Sequence, residues 1–362
     1  MKLKAFDIFS GCGGLSRGLH DAGFDVLGGV EILPHARETY FLNHPGSVLF
    51  SDVRNIQSKD LLDQLQIERG ELDLLAGCPP CQGFSTMRTK NRAAPAEDER
   101  NELIFDFIRM VDFLLPKTVM VENVPGLLKD WRLAKAKQHL KDLGYYCKAG
   151  VLDAQKFGVP QRRKRMILMA SRFGEIELPE GNEQQSKTVK QTIGNLTPPE
   201  KSKVYLQQYR KKHTQVVKDR IKRIPKDGGS RSALGDDQLA CHKRINGFKD
   251  VYGRMAWDKV APTITRFCNN PSKGRFLHPE QDRAITLLEA ALLQTFPKKY
   301  KFSSTLNDSQ IAGMIGEALP PLFAKKQALH IKKHIIQTTV SQNNNIDKTK
   351  RCKNISQITG DG

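Results

Sequence analysis

Long apolar runs are absent from this 362-residue sequence. No stretch approaches the roughly 20 apolar residues that a membrane-spanning helix requires, and the opening MKLKAFDIFSGCGG lacks the apolar core of a secretory signal. We therefore expect a cytoplasmic protein that has no membrane partner. A hydrophobic share of 39% and a mean hydropathy of −0.48 are ordinary for a folded globular chain, which excludes disorder throughout.

Disulfide and metal-site patterns are also missing. The seven cysteines are an odd number without the density of a secreted disulfide scaffold, so we expect reduced thiols. Cys78 and Cys81 form a Cys-x-x-Cys pair, but neither a second such pair nor a close pair of histidines completes a zinc site. We therefore expect no metal, while a redox dithiol stays open as an alternative.

Acidic residues are outnumbered, with 39 Asp and Glu against 58 Lys and Arg and a net charge of +19. An excess of this size attracts polyanions. Residues 201–231 alone hold eleven Lys or Arg and two Asp, interleaved with Tyr205 and Tyr209. This pattern is typical of a nucleic-acid surface, and a solvated amphipathic helix explains it equally well.

The pattern of apolar residues predicts an α/β fold in several segments. Short β-rich runs alternate with amphipathic stretches up to residue 171, which indicates an open, doubly wound parallel sheet covered by helices. Strands are predicted at 3–9, 26–31, 48–50, 72–76, 118–122, 147–152 and 166–171. A first domain over 1–171, a smaller one over 172–284, a C-terminal return over 285–337 and a disordered tail over 338–362 are expected.

A glycine-rich loop ends the first predicted strand and opens the first helix. Gly11, Gly13 and Gly14 permit positive φ and the close approach of a ligand, and no Gly-Lys-Ser/Thr follows to make a Walker loop. Glu31 and Asp52 end the next two strands, where an acid can bind the ribose hydroxyls of a nucleoside cofactor. For the loop alone, a tight structural turn is the alternative.

Reactive residues also follow the later strands. Cys81 lies in GCPPCQGFS after the fourth strand, and Glu122 ends the fifth. The carboxyl ends of parallel strands share one edge of a sheet, so both should meet near the glycine loop. In QRRKR, alternate arginines, Arg163 and Arg165, share one face of the last strand, although a charged strand entrance would have the same pattern.

In this order the motifs resemble the DNA (cytosine-5)-methyltransferase family of bacterial restriction-modification systems. The resemblance rests on DIFSGCGGLSRGLHDAGF, PPCQGFS, ENV, QRRKR, TLLEAALLQTFP and IGEALPP, which are spread over residues 6–324. It implies a Rossmann-like class I AdoMet-dependent methyltransferase fold with a smaller inserted target-recognition domain. It also implies S-adenosyl-L-methionine as methyl donor and a flipped cytosine in duplex DNA as substrate.

The resemblance and the residue chemistry together assign roles. A thiolate at Cys81 would add to ring carbon 6 and so activate carbon 5, with Glu122 at ring nitrogen 3 and a positive field from Arg163 and Arg165. The catalytic candidates are Cys81, Glu122, Arg163, Arg165, Pro80 and Gln82. The cofactor candidates are Phe9, Ser10, Gly11, Gly13, Gly14, Leu15, Glu31, Ile32, Asp52, Val53, Pro79, Glu317 and Ala318. The DNA candidates are Ser85, Arg163, Arg210, Lys211, Lys212 and Arg231.

The chain departs from the family pattern at three positions. Family members usually carry arginine where Leu288 and Leu292 stand, and asparagine where Glu317 stands. A monomer that acts beside a cognate restriction endonuclease is expected. An RNA (tRNA) cytosine-5 methyltransferase and an inactive DNA-binding regulator are the alternatives.

Overall fold

The computed structural model describes residues 2–80, 99–182, 186–238 and 250–358, with the backbone alone over 342–358. Cys81, Gln82 and Ser85 lie outside the described residues. Within the described part, no helix has both the length and the apolar character needed to cross a membrane.

A seven-stranded sheet in the order β3-β2-β1-β4-β5-β7-β6 forms the centre of the fold. Its strands are β1 Lys4–Ile8, β2 Asp25–Val30, β3 Val48–Phe50, β4 Leu74–Gly77, β5 Thr118–Asn123, β6 Tyr146–Asp153 and β7 Lys164–Ser171. All seven predicted strands are present. The order reverses between β1 and β4, which opens a crevice at the carboxyl ends of these two strands.

The expectation of a parallel sheet is wrong for β7, which runs antiparallel to both β5 and β6. Only ten residues connect β6 to β7, with one 3-10 turn at Ala154–Phe157 among them. A connection this short cannot carry a chain back along the sheet for a parallel pairing. The reversal places the start of β7, and with it the QRRKR segment, at the edge where the parallel strands end.

Ten α-helices are present among the described residues. They are α1 Gly14–Asp21, α2 Pro34–Asn43, α3 Ser58–Leu65, α4 Leu103–Leu114, α5 Trp131–Asp142, α6 Val189–Ile193, α7 Gln215–Arg223, α8 Leu287–Leu293, α9 Asp308–Glu317 and α10 Pro321–Ile358. Thr286 caps α8 and Asn307 caps α9, each through a reciprocal capping box with the third residue of the helix.

The sheet is covered on both faces because its strands are apolar on both. In β1, Ala5 packs with α1 and α10 on one face, and Phe6 packs with α3, α4 and α5 on the other. The first turns of α10 lie so close to α1 that a Cβ at Gly18 would stand 2.4 Å from the Cβ of Ala324. The C-terminal helix therefore belongs to the layer that covers the sheet.

A second apolar cluster joins α6, the segment 255–285 and helices α8 and α9, and so crosses the boundary predicted at residue 284. Much of this region is irregular backbone. The buried guanidinium of Arg254 donates to the carbonyl oxygens of Ile221, Ile224, His278 and Gln281, and so joins the end of one helix to the irregular segment near residue 280.

The C-terminal segment differs from the prediction made for it. From residue 338 the sequence predicted a disordered tail, whereas α10 continues through Ile358. The hydroxyl groups of Thr338 and Thr339 donate to carbonyl oxygens one turn earlier, which is compatible with helix. The sequence after residue 338 is polar and nearly free of an apolar pattern, so periodicity alone could not indicate this extension.

Candidate active site

The glycine loop lies at the switch point between β1 and β4. Gly13 has φ of 92°, and a Cβ there would stand 2.6 Å from Nε2 of His44. A Cβ at Gly14 would stand 2.7 Å from the carbonyl oxygen of Leu319. A Cβ at Gly11 would meet nothing within 4 Å, so this part of the loop borders open space. The loop is thus closed towards the protein and open towards the crevice.

Glu31 lies directly after β2 and faces the loop. Its Oε2 accepts a hydrogen bond from the Gly11 N–H at 2.9 Å, and its Oε1 accepts one from the Leu33 N–H at 2.7 Å. Burial raises the pKa of Glu31, and these two N–H groups partly oppose the rise. The neighbouring Ile32 is 55% exposed, which sets an apolar side chain beside a positioned carboxyl group. That pair fits the sugar and base of a nucleoside.

The remaining cofactor candidates near the loop differ in accessibility. Asp52 follows β3 and accepts hydrogen bonds from Arg54, whose guanidinium holds the pKa of Asp52 below its usual range. Leu15 and Val53 are buried in the two layers of the sheet, so only their backbone can reach a ligand. Phe9 has φ of 65°, which turns the chain out of β1 into the loop.

Glu122 and Arg165 meet at the same edge of the sheet. Glu122 belongs to β5, Arg165 belongs to β7, and Nε of Arg165 lies 2.7 Å from Oε1 of Glu122. Both side chains are at most 15% exposed, so solvent screens the pair weakly. The pair forms because β7 runs antiparallel to β5 and so begins where β5 ends.

The segment that leads to Cys81 is tied to this pair. The side-chain amide of Asn123 donates to the carbonyl oxygen of Pro79 at 2.9 Å, which joins the end of β5 to the residues after β4. Burial raises the pKa of the Cys78 thiol well above its usual value, and the charge of Glu122 raises it further. Cys78 is therefore a neutral thiol beside Glu122. Cys81 is the next residue after Pro80 in the sequence and lies outside the described residues.

Arg163 joins three segments of the chain. Its guanidinium donates to the carbonyl oxygens of Ile264, Gly316 and Ala318 at 2.9 to 3.1 Å, and its side chain is almost fully buried. Burial lowers the pKa of Arg163 well below its usual value, the charge of Arg165 lowers it further, and the charge of Glu122 opposes the fall only in part. Arg163 thus holds the segment before β7 against the irregular region and against the end of α9.

The family model of the C-5 cytosine-specific DNA methylases matches residues 3–333. The chain belongs to this family. The Type II methylase M.HgiDII of Herpetosiphon aurantiacus is 33% identical over 341 residues, which cover 91% of this chain and 95% of that relative. The Type II methyltransferase M1.HphI of Haemophilus parahaemolyticus is 34% identical over 90% of this chain and 85% of its own. The resemblance read from the motifs is therefore confirmed.

The fold of the methylase also has a solved counterpart. A prophage-encoded DNA modification methyltransferase (E. coli) superposes with a TM-score of 0.69 over 92% of this chain and 99% of its own, at 23% identity. The predicted AdoMet-dependent methyltransferase fold is thereby confirmed. The roles of the individual residues rest on the geometry described above and stay predictions.

The predicted DNA-binding residues of the methylase are placed unequally. Arg210 stacks on the ring of Tyr205 with its guanidinium 3.7 Å from the centroid and pairs with Asp308, so its charge is already engaged. Arg231 is 6% exposed and is a poor candidate for a phosphate contact. Lys212 is exposed, and Lys211 is half-buried with its pKa lowered by burial. The run of charge did not indicate which cations the fold would use internally.

No sequence pattern indicated the buried polar group that lies under the glycine loop. Oδ2 of Asp7 accepts from the Ser16 hydroxyl at 2.6 Å, and that hydroxyl lies 3.1 Å from the Tyr40 hydroxyl. Oδ1 of Asp7 is buried without a partner among the described residues. Burial raises the pKa of Asp7 to about 7. A single Asp in an apolar strand carried no pattern that could have revealed these partners.

We expect Asp7→Asn to remove a pH dependence of stability. With its pKa raised from an ordinary 3.8 to about 7, Asp7 keeps its proton in the folded state over a range where the unfolded chain has lost it. The free energy of unfolding should therefore fall as pH rises through that range, at about 1.4 kcal/mol per unit of pKa. Urea unfolding at pH 5 and pH 8 measures this effect. The free energy of unfolding of the variant, relative to that of the wild type, should be higher at pH 8 than at pH 5. An equal difference at both pH values would contradict this assignment.

Proposed function

We propose that this methylase transfers a methyl group from S-adenosylmethionine to carbon 5 of a cytosine flipped out of a specific duplex DNA sequence, through a covalent adduct with Cys81. The relatives named as Type II methylases support a role in protecting DNA from a cognate restriction endonuclease. The observation that carries the proposal is the buried Glu122–Arg165 pair, one strand away from the residues that lead to Cys81.

The crevice fits a cofactor of this class. The open side of Gly11, the carboxyl group of Glu31 and the exposed Ile32 would hold the nucleoside, and the start of α1 offers N–H groups to a carboxylate. The cofactor would supply an electrophilic methyl group on a sulfonium. The task left to the protein is to make carbon 5 of cytosine nucleophilic and to exclude water from it.

Cys81 and Glu122 would share this task. The sulfur of Cys81 would bond to ring carbon 6, and the electron pair of the carbon 5–carbon 6 double bond would move to carbon 5. Carbon 5 would then take the methyl group, while the bond between that group and the sulfonium sulfur breaks and leaves a neutral thioether. Glu122 would hydrogen-bond ring nitrogen 3 and the exocyclic amine, where the ring gains negative charge. Loss of the carbon 5 proton and expulsion of the sulfur restore the aromatic ring and the free thiol.

Arg165 and Arg163 would act at different distances. Arg165 holds Oε1 of Glu122 and so fixes the plane of that carboxylate towards the base, and by its position it can also reach the ring carbonyl. Arg163 is held by backbone carbonyls and does not touch Glu122 in this arrangement, so its charge would act on the Cys81 thiolate only through space.

Sequencing of bisulfite-treated DNA from a host that expresses the protein tests this function. Cytosines within one short sequence should resist conversion when the wild type is expressed. A transfer assay with labelled cofactor on duplex DNA and on tRNA should show transfer to the duplex. Transfer to tRNA alone would replace DNA by RNA as substrate, and the absence of protected cytosines and of any labelled product would refute the proposal.

Glu122→Gln tests the role of the carboxyl group with little change in the shape of the side chain. The amide keeps the shape of the side chain but cannot supply an acid proton or pair with Arg165, so we expect single-turnover methylation to fall on the order of a hundredfold or more. Cofactor affinity should change little, because Glu31 and the glycine loop are untouched. Unchanged single-turnover methylation would remove Glu122 from its role.

A further inference from the structure

The end of α9 brings a carboxylate, that of Glu317, to the edge of the crevice. Glu317 is the last residue of α9, and the backbone on both sides of it is fixed, since Arg163 donates to the carbonyl oxygens of Gly316 and Ala318. A Cβ at Gly316 would stand 2.1 Å from the carbonyl carbon of Thr265, so this backbone also packs tightly on the irregular region. The carboxylate therefore projects from a rigid support.

Glu317 directly precedes a residue that packs on the glycine loop. A Cβ at Gly14 would stand 3.1 Å from the Cβ of Ala318, so the residues at the end of α9 touch the start of α1. Burial is the main cause that raises the pKa of both Glu31 and Cys12, and the charge of Glu317 adds a smaller rise to each. The side chain of Glu317 is 54% exposed, and so it can turn towards a ligand.

The carboxylate of Glu317 already forms an ion pair with Arg266. Nη1 of Arg266 lies 3.6 Å from Oε1 of Glu317, and the Arg266 side chain is 53% exposed. An exposed pair at this distance is weak and is easily exchanged for another partner. Arg266 also lies over the ring of Phe267, with its guanidinium 5.3 Å from the centroid, and it can keep this cation–π contact when it leaves Glu317.

We propose that Glu317 sets the preference of the methylase for the cationic cofactor over its neutral thioether product. S-adenosylmethionine carries a sulfonium charge that S-adenosylhomocysteine lacks, while the rest of the two molecules is the same. A carboxylate fixed at the crevice stabilises the former alone through that charge. Arg266 competes for the same carboxylate and so weakens the preference. This inference rests on the proposed use of S-adenosylmethionine.

The test measures the affinities of both ligands by calorimetry, without DNA and without turnover. The wild type should bind S-adenosylmethionine more tightly than S-adenosylhomocysteine. The ratio of the two affinities should fall about three- to tenfold in Glu317→Asn and in Glu317→Gln, as expected for a partly screened charge. Arg266→Ala should raise the ratio. Higher ionic strength should reduce the ratio of the wild type towards that of the variants.

A matched control removes the same charge elsewhere. Glu68→Gln changes an exposed residue just before β4, at the opposite end of the sheet, and should leave the ratio unchanged. An unchanged ratio in both Glu317 variants, with both ligands still bound, would overturn this inference and leave the proposed function standing. The inference would also be overturned if Arg266→Ala lowered the affinity ratio of S-adenosylmethionine to S-adenosylhomocysteine as much as Glu317→Asn does. The ion pair between the two residues would then only support the local structure. Binding of neither ligand to the wild type would instead refute the proposed cofactor.

Discussion

Cys81→Ser should lose methyl transfer by on the order of a thousandfold or more while keeping salt-sensitive binding to duplex DNA. A serine hydroxyl is a much weaker acid and a poorer nucleophile than a thiol, so the adduct at ring carbon 6 would not form at a useful rate. In the proposed mechanism the positive charges of Arg165 and Arg163 would stabilise a thiolate at residue 81, and they could not ionise an alcohol to a comparable extent. Single-turnover transfer of labelled methyl groups and a filter-binding titration measure the two properties separately.

Two controls separate a nucleophile from other uses of cysteine. Cys147→Ser lies on β6, at the far edge of the sheet, and should retain full activity. Cys78→Ser should reduce activity only moderately, because Cys78 is a neutral thiol beside Glu122. A loss in Cys78→Ser as complete as in Cys81→Ser would favour a redox dithiol, and normal turnover in Cys81→Ser would exclude the adduct.

Trapping on a modified duplex examines the adduct directly. A duplex with 5-fluorocytosine in the target sequence keeps a fluorine where a proton must leave, so the bond to the sulfur should persist after methyl transfer. We expect a covalent complex with the wild type that depends on the cofactor, and none with Cys81→Ser. An inactive DNA-binding regulator would bind the same duplex and leave no covalent complex in either case.

Local patterns in the sequence predicted the part of the site that follows the parallel strands. Each strand is an apolar run bounded by turn residues, and Glu31 and Glu122 stand directly after or at the end of such runs. Parallel strands end at one edge, so the approach of these residues to the crevice could be predicted without coordinates. The glycine spacing added that a ligand can come close to the backbone.

The direction of β7 could not be predicted in the same way. Arg165 reaches Glu122 because β7 is antiparallel, and a periodic pattern of apolar residues is the same in either direction. The connection from β6 to β7 is too short for a parallel pairing of these two strands. This argument applies only if they are neighbours in the sheet, which the sequence does not indicate. The same limit applies to Arg163, whose three acceptors come from residues about 100 to 155 positions later in the chain.

The basic segment shows a further limit of sequence patterns. Eleven Lys or Arg between 201 and 231 were compatible with a surface for polyanions and, equally, with a solvated amphipathic helix. The fold uses Arg210 to bind Asp308 and buries Arg231. Whether a cation is free for phosphate depends on tertiary partners, which a local count of charges does not contain.

Arg163→Ala should lower the free energy of unfolding by about 3 kcal/mol, the second large effect that we expect. The substitution leaves the buried carbonyl oxygens of Ile264 and Gly316 without this donor, and each unsatisfied group costs about 1 to 3 kcal/mol. Ala318 loses less, since the side-chain amide of Gln294 still donates to its carbonyl oxygen. Removal of a buried cation whose pKa is lowered by burial offsets part of the cost.

Urea unfolding of three variants tests this balance. Arg163→Ala should show the full loss, and Arg163→Lys an intermediate one, because an ammonium group cannot reach three carbonyl oxygens in the fork geometry of a guanidinium. Lys164→Ala changes the exposed neighbour and should stay within about 0.5 kcal/mol of the wild type. If Arg163→Ala were as stable as Lys164→Ala, the hydrogen bonds of Arg163 would only balance the cost of its burial, and the join between β7, residue 264 and the end of α9 would have to come from apolar packing alone.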